Sequence, residues 1–402
     1  MTFPMSRERA TTAPTGPNDN GAIVAKRAEK RKSRREFEPD EFLLLSSLKT
    51  TMANKTATKS PAKTAGSDAF KGLDAKLVLK MHDVMVKARC LEERLIKMSK
   101  SGDGFFWIGG PGEEAFNVPL GLQVKKGHGV DHDFLHLHYR SSAILLAMGA
   151  PVIDDIRQMR SVATDPYSKG RNFVNHPAIP AWNIVPVSPT IETQHATAIG
   201  TGIAQARAKT DALTIVNGGD AGTAEGDFHS CLVWANRPVL PLPILMVTVN
   251  NGYGISTPEP TQHGEKNISD WAKVFDMPHK TINGNDVVES WFAIKEAMAY
   301  IRKERRPYLL EAKCSRLYGH SSSSGANRIN EPDCIALMEE KMLASGLSTK
   351  QKLEAVWQAN RDEIDRAHQQ VKQEPFPKPE SIWEDVFAGG LPPSYPTKGG
   401  SF

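Results

Sequence analysis

Cysteine is scarce in this 402-residue chain: the four, Cys90, Cys231, Cys314 and Cys334, are scattered without the close spacing that a zinc knuckle or a disulfide framework requires. Structural zinc and secretory stapling are thereby excluded, and reduced thiols in a cytoplasmic setting are expected. Long apolar runs are also missing. No segment reaches the length needed to cross a bilayer, so no membrane association is expected from this chain itself. The N-terminus has no apolar signal segment, and its acids argue against a mitochondrial transit peptide. No internal repeat is present, which removes solenoid architectures. What remains, with 40% hydrophobic residues, suffices for one large core or two modest ones.

The net charge of +4 misleads. Residues 1–71 hold 14 Lys and Arg against 8 Asp and Glu, so the tail carries the basicity and the rest is slightly acidic. That tail mixes Thr, Ala, Pro, Lys and Arg and offers little that could form a core, so disorder is expected. Its densest stretch, KRAEKRKSRR, competes for a nucleic-acid reading, but solvated disorder is favoured and no nucleic-acid partner is expected. Met52 opens MANKTATKSPAK, a natural alternative translation start. Three regions follow: a basic tail over 1–71, an α/β domain over 72–330, and C-terminal helices with proline-rich coil over 331–402.

Beyond the tail, Leu77, Met81, Val84, Ala88, Leu91, Leu95 and Met98 recur at helical spacing and predict an amphipathic helix over 74–100. Helical and strand patterns then alternate. Helices are expected over 113–124, 141–148, 194–209 and 225–235, and strands over 212–217, 244–249 and 308–313. Asp286 with Glu289 reads as a capping box opening a helix to 304. Two charged helices, near 333–344 and 348–371, are expected on the outside. This alternation predicts an α/β fold with a doubly wound, mainly parallel sheet.

The run GGDAGTAEGDFHSCLVWANRPVLPLPILMVTVNNGYGIS carries the chemistry. It reads as strand, glycine-rich turn, helix, strand, with Asp220 ending the first strand and Asn250-Asn251 the second. A carboxylate and a carboxamide thus meet at the carboxyl edge of one sheet, where open α/β folds bind ligands. Such oxygens suit Mg2+, which completes its octahedron with phosphate oxygens and water, so a magnesium diphosphate is implied. A bland alternative makes Asp220 a helix cap and Asn250-Asn251-Gly252 a turn. A second candidate cluster, His128, His132, His136 and His138, has spacings that could place zinc ligands on one face, but no cysteine lies near. His138 is the member expected to face substrate or cofactor.

The spacing resembles the thiamine diphosphate fingerprint, in which G-D-G precedes N-N by roughly thirty residues. Over 73–328 the chain resembles the α subunit of a thiamine diphosphate-dependent 2-oxo acid dehydrogenase, the decarboxylating first component. The resemblance rests on GPGEEAFNVPLG at 110–121, HYRSSAILLAMG at 138–149, GDAGTAEGDF at 219–228, NNGYGISTP at 250–258, INGND at 282–286 and SRLYGHS at 315–321. It implies the diphosphate-binding domain of that fold, oxidative decarboxylation and acyl transfer to a lipoyl group. Asp220 and Asn251 would bind Mg2+ by side chains and Tyr253 by its carbonyl. Tyr139, Arg140, Arg316 and His320 would contact the diphosphate, Ser188 the aminopyrimidine, and Gly218, Gly219, Ala221 and Gly222 would form the phosphate turn. His320 is the candidate catalytic group, as a proton donor in acyl transfer.

The acid that activates the aminopyrimidine sits on a separate domain in the family, and these residues contain none. A β subunit in an α2β2 heterotetramer and a lipoylated acyltransferase second component are therefore the implied partners. The motifs stand closest to branched-chain 2-oxo acid enzymes, with pyruvate or acetoin dehydrogenase, or a non-catalytic paralogue, as alternatives. Three departures stand out: Ala221 replaces the third residue of G-D-G, SPTIETQ at 188–194 is one residue longer than the family's usual stretch, and HSSSSGANR at 320–328 is two residues shorter than expected and lacks the acid after its serines.

Overall fold

The computed structural model describes residues 69–389; the basic tail and the Met52 start lie outside the described residues. Five strands form one sheet in the order β1 (Phe134–His136), β2 (Thr214–Gly219), β3 (Ile244–Asn250), β7 (Tyr308–Lys313), β6 (His279–Asn283), with every neighbouring pair parallel. Between β3 and β6 a small antiparallel ribbon joins β4 (Tyr253–Gly254) to β5 (Thr257–Pro258). The helices are α1 (Ala75–Ser101), α2 (Glu114–Gln123), α3 (Ser142–Ala147), α4 (Val152–Arg160), α5 (Thr193–Ala208), α6 (Gly226–Ala235), α7 (Val287–Glu304), α8 (Cys334–Ala344) and α9 (Lys350–Val371). The doubly wound α/β expectation is thus met.

Successive strand residues point to opposite faces, so a strand covered on both sides feeds two cores. Leu245, Val247 and Val249 of β3 join Phe116, Ile144 and Ile294 on one side. Ile244 and Met246 join Phe228, Leu232 and Ala272 on the other. At ~25 cal/mol per Å2 of apolar surface removed from water, both layers stabilise the sheet.

A third core surrounds α1. Asp74 caps it by accepting from the amide of Lys76, and Gly102 ends it at φ 74°, a conformation that suits glycine. The predicted apolar stripe is buried from Met81 to Met98, but so are Val78, Met85, Val86 and Ile96 on other faces. The reason lies in α8 and α9, whose Ile335, Met338, Leu353, Ile364 and Val371 pack onto α1. The expectation of helices charged on one side holds, and their other side is buried on α1. Arg89 ties the assembly, donating to both oxygens of Glu114 at 2.7 and 2.9 Å and to Asp333 at 2.7 and 3.2 Å. A guanidinium this buried is tolerable only with such pairing.

Asp155 of α4 breaks that rule. It is fully buried, and neither carboxylate oxygen has a hydrogen-bond partner. Burial, reinforced by Glu92, Asp154 and Asp165, pushes its pKa well above the ordinary value. The folded chain therefore keeps a proton that the unfolded chain loses, and stability falls as pH rises above the ordinary carboxylate range. Asp155→Asn is expected to raise the thermal midpoint at pH 8 by the equivalent of ~1–3 kcal/mol. The gain should shrink towards pH 4, where Asp155 of the unfolded chain is also partly protonated and less of the proton-uptake difference remains; thermal unfolding at the two pH values checks it.

Candidate functional site

At the carboxyl edge of the sheet, β2 ends in Gly218-Gly219-Asp220 and passes through a short turn, Ala221–Ala224, into α6. Thr223 clamps the turn, donating from its amide (3.1 Å) and hydroxyl (2.7 Å) to the Asp220 carbonyl. Ala221 keeps a negative φ. Its methyl faces Gly254, where an added Cβ would lie 2.6 Å away, so the bare hairpin makes room for it.

Next to it, β3 ends in Asn250-Asn251. Asn250 is structural: its amide donates to Glu259 (2.7 Å) and Glu311 (2.9 Å), and its oxygen accepts from the Gly252 amide at 3.0 Å. Asn251 donates to Glu113 at 3.1 Å, while its oxygen accepts from the Tyr253 amide at 3.3 Å and keeps a lone pair free.

A cavity of about 240 Å3 opens here, walled by His138, Tyr139, Arg140, Asp220, Tyr253 and His320 together with the turn residues Gly219, Ala221 and Gly222, and lined also by Glu192 and Glu225. Asp220 is fully buried and neither carboxylate oxygen meets a donor in hydrogen-bond geometry. Burial raises its pKa, and nearby Arg140 with the backbone amides of Asp220 and Asn251 offsets part of that rise. A desolvated carboxylate without a partner is costly unless a cation completes it. Among the described residues no group of three His, Cys, Asp or Glu could hold a metal, so a cation here would rely on one carboxylate and neutral oxygens. That donor set matches Mg2+ carrying phosphate oxygens.

Arg140 is buried against Glu113, with Nε 2.9 Å from Oε1 in an ion pair that lacks hydrogen-bond alignment, and its Nη1 donates to the Tyr139 hydroxyl at 3.1 Å. Glu113 is held up at about 7, mainly by burial, against the opposing pull of Arg140 and Asn251. His138 is pushed well below its ordinary value by burial and then by Arg140. His320 stands edge-on to Tyr139 with ring centres 5.9 Å apart, and burial with Arg140 and Arg316 lowers it to about 4. Both imidazoles are thus neutral near pH 7. An incoming polyanion would offset the arginines and draw a proton onto His320.

Other sequence candidates sit farther out. Arg316 is half-buried, its guanidinium stacked 4.4 Å from the Tyr253 ring centre, and it donates to the Ile255 carbonyl at 2.6 Å. It borders the cavity wall without lining it. Ser188 closes a local turn by accepting from the Thr190 amide at 3.1 Å. The histidine set is dispersed: His136 meets Thr197 and Thr201 through its two ring nitrogens, and His128 and His132 bond to backbone carbonyls.

The glycines of the turn, expected to form a phosphate turn, stand against buried side chains, and Gly219 and Gly222 also line the cavity. None of Gly218, Gly219 and Gly222 has positive φ. A Cβ at Gly219 would strike Arg140, and Cβ atoms at Gly218 and Gly222 would strike the Glu192 carboxylate. Glu113 and Glu192 are the functional-looking residues that sequence reasoning passed over; the paired acids inside GPGEEAF and the extra residue in SPTIETQ were the available signals.

Residues 82–380 match the family model described as "Dehydrogenase E1 component". The "2-oxoisovalerate dehydrogenase subunit alpha" of Bacillus subtilis (strain 168) is 30% identical over 330 residues, covering 79% of this chain and 97% of that protein. The "2-oxoisovalerate dehydrogenase subunit alpha, mitochondrial" of Homo sapiens is 26% identical over 326 residues, 78% of this chain and 71% of that protein. The "2-oxoisovalerate dehydrogenase subunit alpha 2, mitochondrial" of Arabidopsis thaliana is 29% identical over 259 residues, 64% of this chain and 53% of that protein.

Proposed function

The chain belongs to the dehydrogenase E1 component family, and on that premise we propose that it is the α subunit of a thiamine diphosphate-dependent dehydrogenase for a branched-chain 2-oxo acid. The observation that carries the reading is Asp220: a buried carboxylate with no hydrogen-bond donor, facing a cavity that also presents Arg140, His320 and the Tyr253 backbone. When bound, thiamine diphosphate supplies a carbon nucleophile for the 2-oxo carbon and an electron sink as carbon dioxide leaves.

The chain's own residues bind and orient. Asp220, the free lone pair of Asn251 and the Tyr253 carbonyl would hold Mg2+. Arg140 would pair phosphate oxygens, because its planar fork offers two donors at once, with Tyr139, Arg316 and His320 beside it. The first amides of α6 add a partial positive charge at the turn. His320, lowered by burial and the arginines, would gain a proton beside phosphate and hold it on its ring.

Carboxylates at the cavity are otherwise engaged or exposed: Glu192 lies against His195, and Glu225 faces solvent at the start of α6. We therefore assign the acid that activates the aminopyrimidine to a β subunit, in an α2β2 heterotetramer that passes its acyl group to a lipoylated acyltransferase. The proposed setting is cytoplasmic, where Cys90, Cys231, Cys314 and Cys334 stay thiols. The accommodation of Ala221 by Gly254 weakens one of the two motives for a non-catalytic paralogue, the other being the short 320–328 loop.

Co-expression with a candidate β subunit, assayed with an artificial electron acceptor, tests this. The mixed complex is expected to oxidise 2-oxoisovalerate in preference to pyruvate, 2-oxoglutarate and acetoin, while the isolated chain stays inactive. Full turnover by the isolated chain would refute the divided site, and preference for pyruvate would move the substrate class.

A further inference from the structure

Glu192 combines features that an ordinary loop glutamate lacks. It sits at φ 64° directly before α5, a left-handed conformation that costs a non-glycine residue ~1–2 kcal/mol. Its side chain is fully buried. One carboxylate oxygen accepts from the Gly219 amide at 3.3 Å, and the other lies 2.5 Å from His195 Nδ1 without hydrogen-bond alignment. Strain and desolvation at one residue persist only where the surroundings over-determine them.

Those surroundings are the glycines of the turn. An added Cβ at Gly218 would come 2.5 Å from the Glu192 carboxylate, and one at Gly222 would come within 2.1 Å. Neither position has a positive φ, so backbone conformation does not call for glycine there. The space left open is filled by this carboxylate. Asp220 lies between the two glycines in sequence, and Ile191, next to Glu192, lines the cavity.

We propose that Glu192 is a positioning residue: its carboxylate, seated between Gly218 and Gly222 and backed by His195, braces the turn that aims Asp220 into the cavity. This rests on the reading of that cavity as the magnesium diphosphate site and specifies what holds its metal-facing acid in place. Glycine at 218 and 222 is then required by an internal side chain, and not by close approach of phosphate.

A double-mutant cycle separates these two causes. Calorimetry would measure uptake of magnesium thiamine diphosphate by the α/β complex carrying Gly222→Ala, Glu192→Ala, both, or neither. Each single change is expected to weaken uptake by about tenfold or more, and the double variant to bind no more weakly than Glu192→Ala alone. An equal penalty for Gly222→Ala in both backgrounds would overturn the proposal, because the clash would then lie with the phosphate. Gly218→Ala completes the same cycle should the Gly222 variant fail to assemble.

Glu192→Gln keeps the shape and the acceptor for Gly219, and is expected to bind within about threefold of the unaltered complex. Binding as weak as that of Glu192→Ala would sink the bracing role. Thermal unfolding of the same cofactor-free complexes provides the control: variants that melt lower yet bind as before would reduce Glu192 to a packing residue and overturn the proposal. A wild-type complex that takes up no cofactor would instead strike the proposed function itself.

Discussion

Asp220→Ala is expected to abolish magnesium-dependent uptake of thiamine diphosphate by the α/β complex while leaving the cofactor-free protein as stable as before or slightly more so. Losing a supporting partner around a metal ligand already costs ~10–100-fold in affinity, so removing the buried carboxylate that would itself hold the metal should exceed ~100-fold. The opposite sign for stability follows from the burial that raises the Asp220 pKa. The folded protein holds that proton more tightly than the unfolded chain, so the ionised group costs stability as pH rises above the ordinary carboxylate range. Asp220→Asn, of nearly equal size, should flatten that dependence. Calorimetry and melting curves at pH 6 and 8 read both effects, and an unchanged affinity in either variant would remove Asp220 from the metal site.

Arg140→Ala should also reduce uptake by more than ~100-fold, since the planar fork beside the turn has no substitute in the cavity wall. Here stability falls as well. Glu113 is left buried with only the Asn251 amide for company, and breaking one side of a buried ion pair costs ~3–5 kcal/mol. The loss is pH-dependent. Glu113 already stands at about 7 with Arg140 in place; without the guanidinium its pKa rises further, so it is protonated at pH 6 and forced to ionise only at higher pH. The destabilisation is therefore smaller at pH 6 than at pH 8. Adding Glu113→Gln should restore stability but not uptake, a split that melting curves and calorimetry on the double variant would display. Recovery of uptake in the double variant would show that Arg140 acts only through Glu113.

Much of the frame was legible in sequence because local pattern and tertiary demand agreed there. The apolar run ending at Val249 could only be a strand covered on both faces, and Asp286 caps α7 as its spacing with Glu289 announced, accepting from Val288 and Glu289. The ends of β2 and β3 could be placed beside each other for the same reason, which brought Asp220 and Asn251 to one sheet edge. What escaped were relations between distant segments. The pattern of α9 showed one charged side but not its partner: Leu353, Ile364 and Val371 belong to the core that closes over α1. Glu113 and Glu192 drew no role of their own, since nothing in a linear string says that one meets a guanidinium and the other a gap between glycines. Glycine itself was the most ambiguous letter: the same residue serves a positive φ at Gly252 and an ordinary φ with a crowded neighbour at Gly222.

The contact between Ala221 and Gly254 bears on how this turn could be altered by design. The carbon missing from one position is supplied by the other, so the two behave as a single filled volume split across turn and hairpin. Reverting Ala221 to the customary glycine would not repair a defect but hollow out the seam, and enlarging Gly254 would force the two loops apart. Either edit makes sense only when its mate is exchanged at the same time.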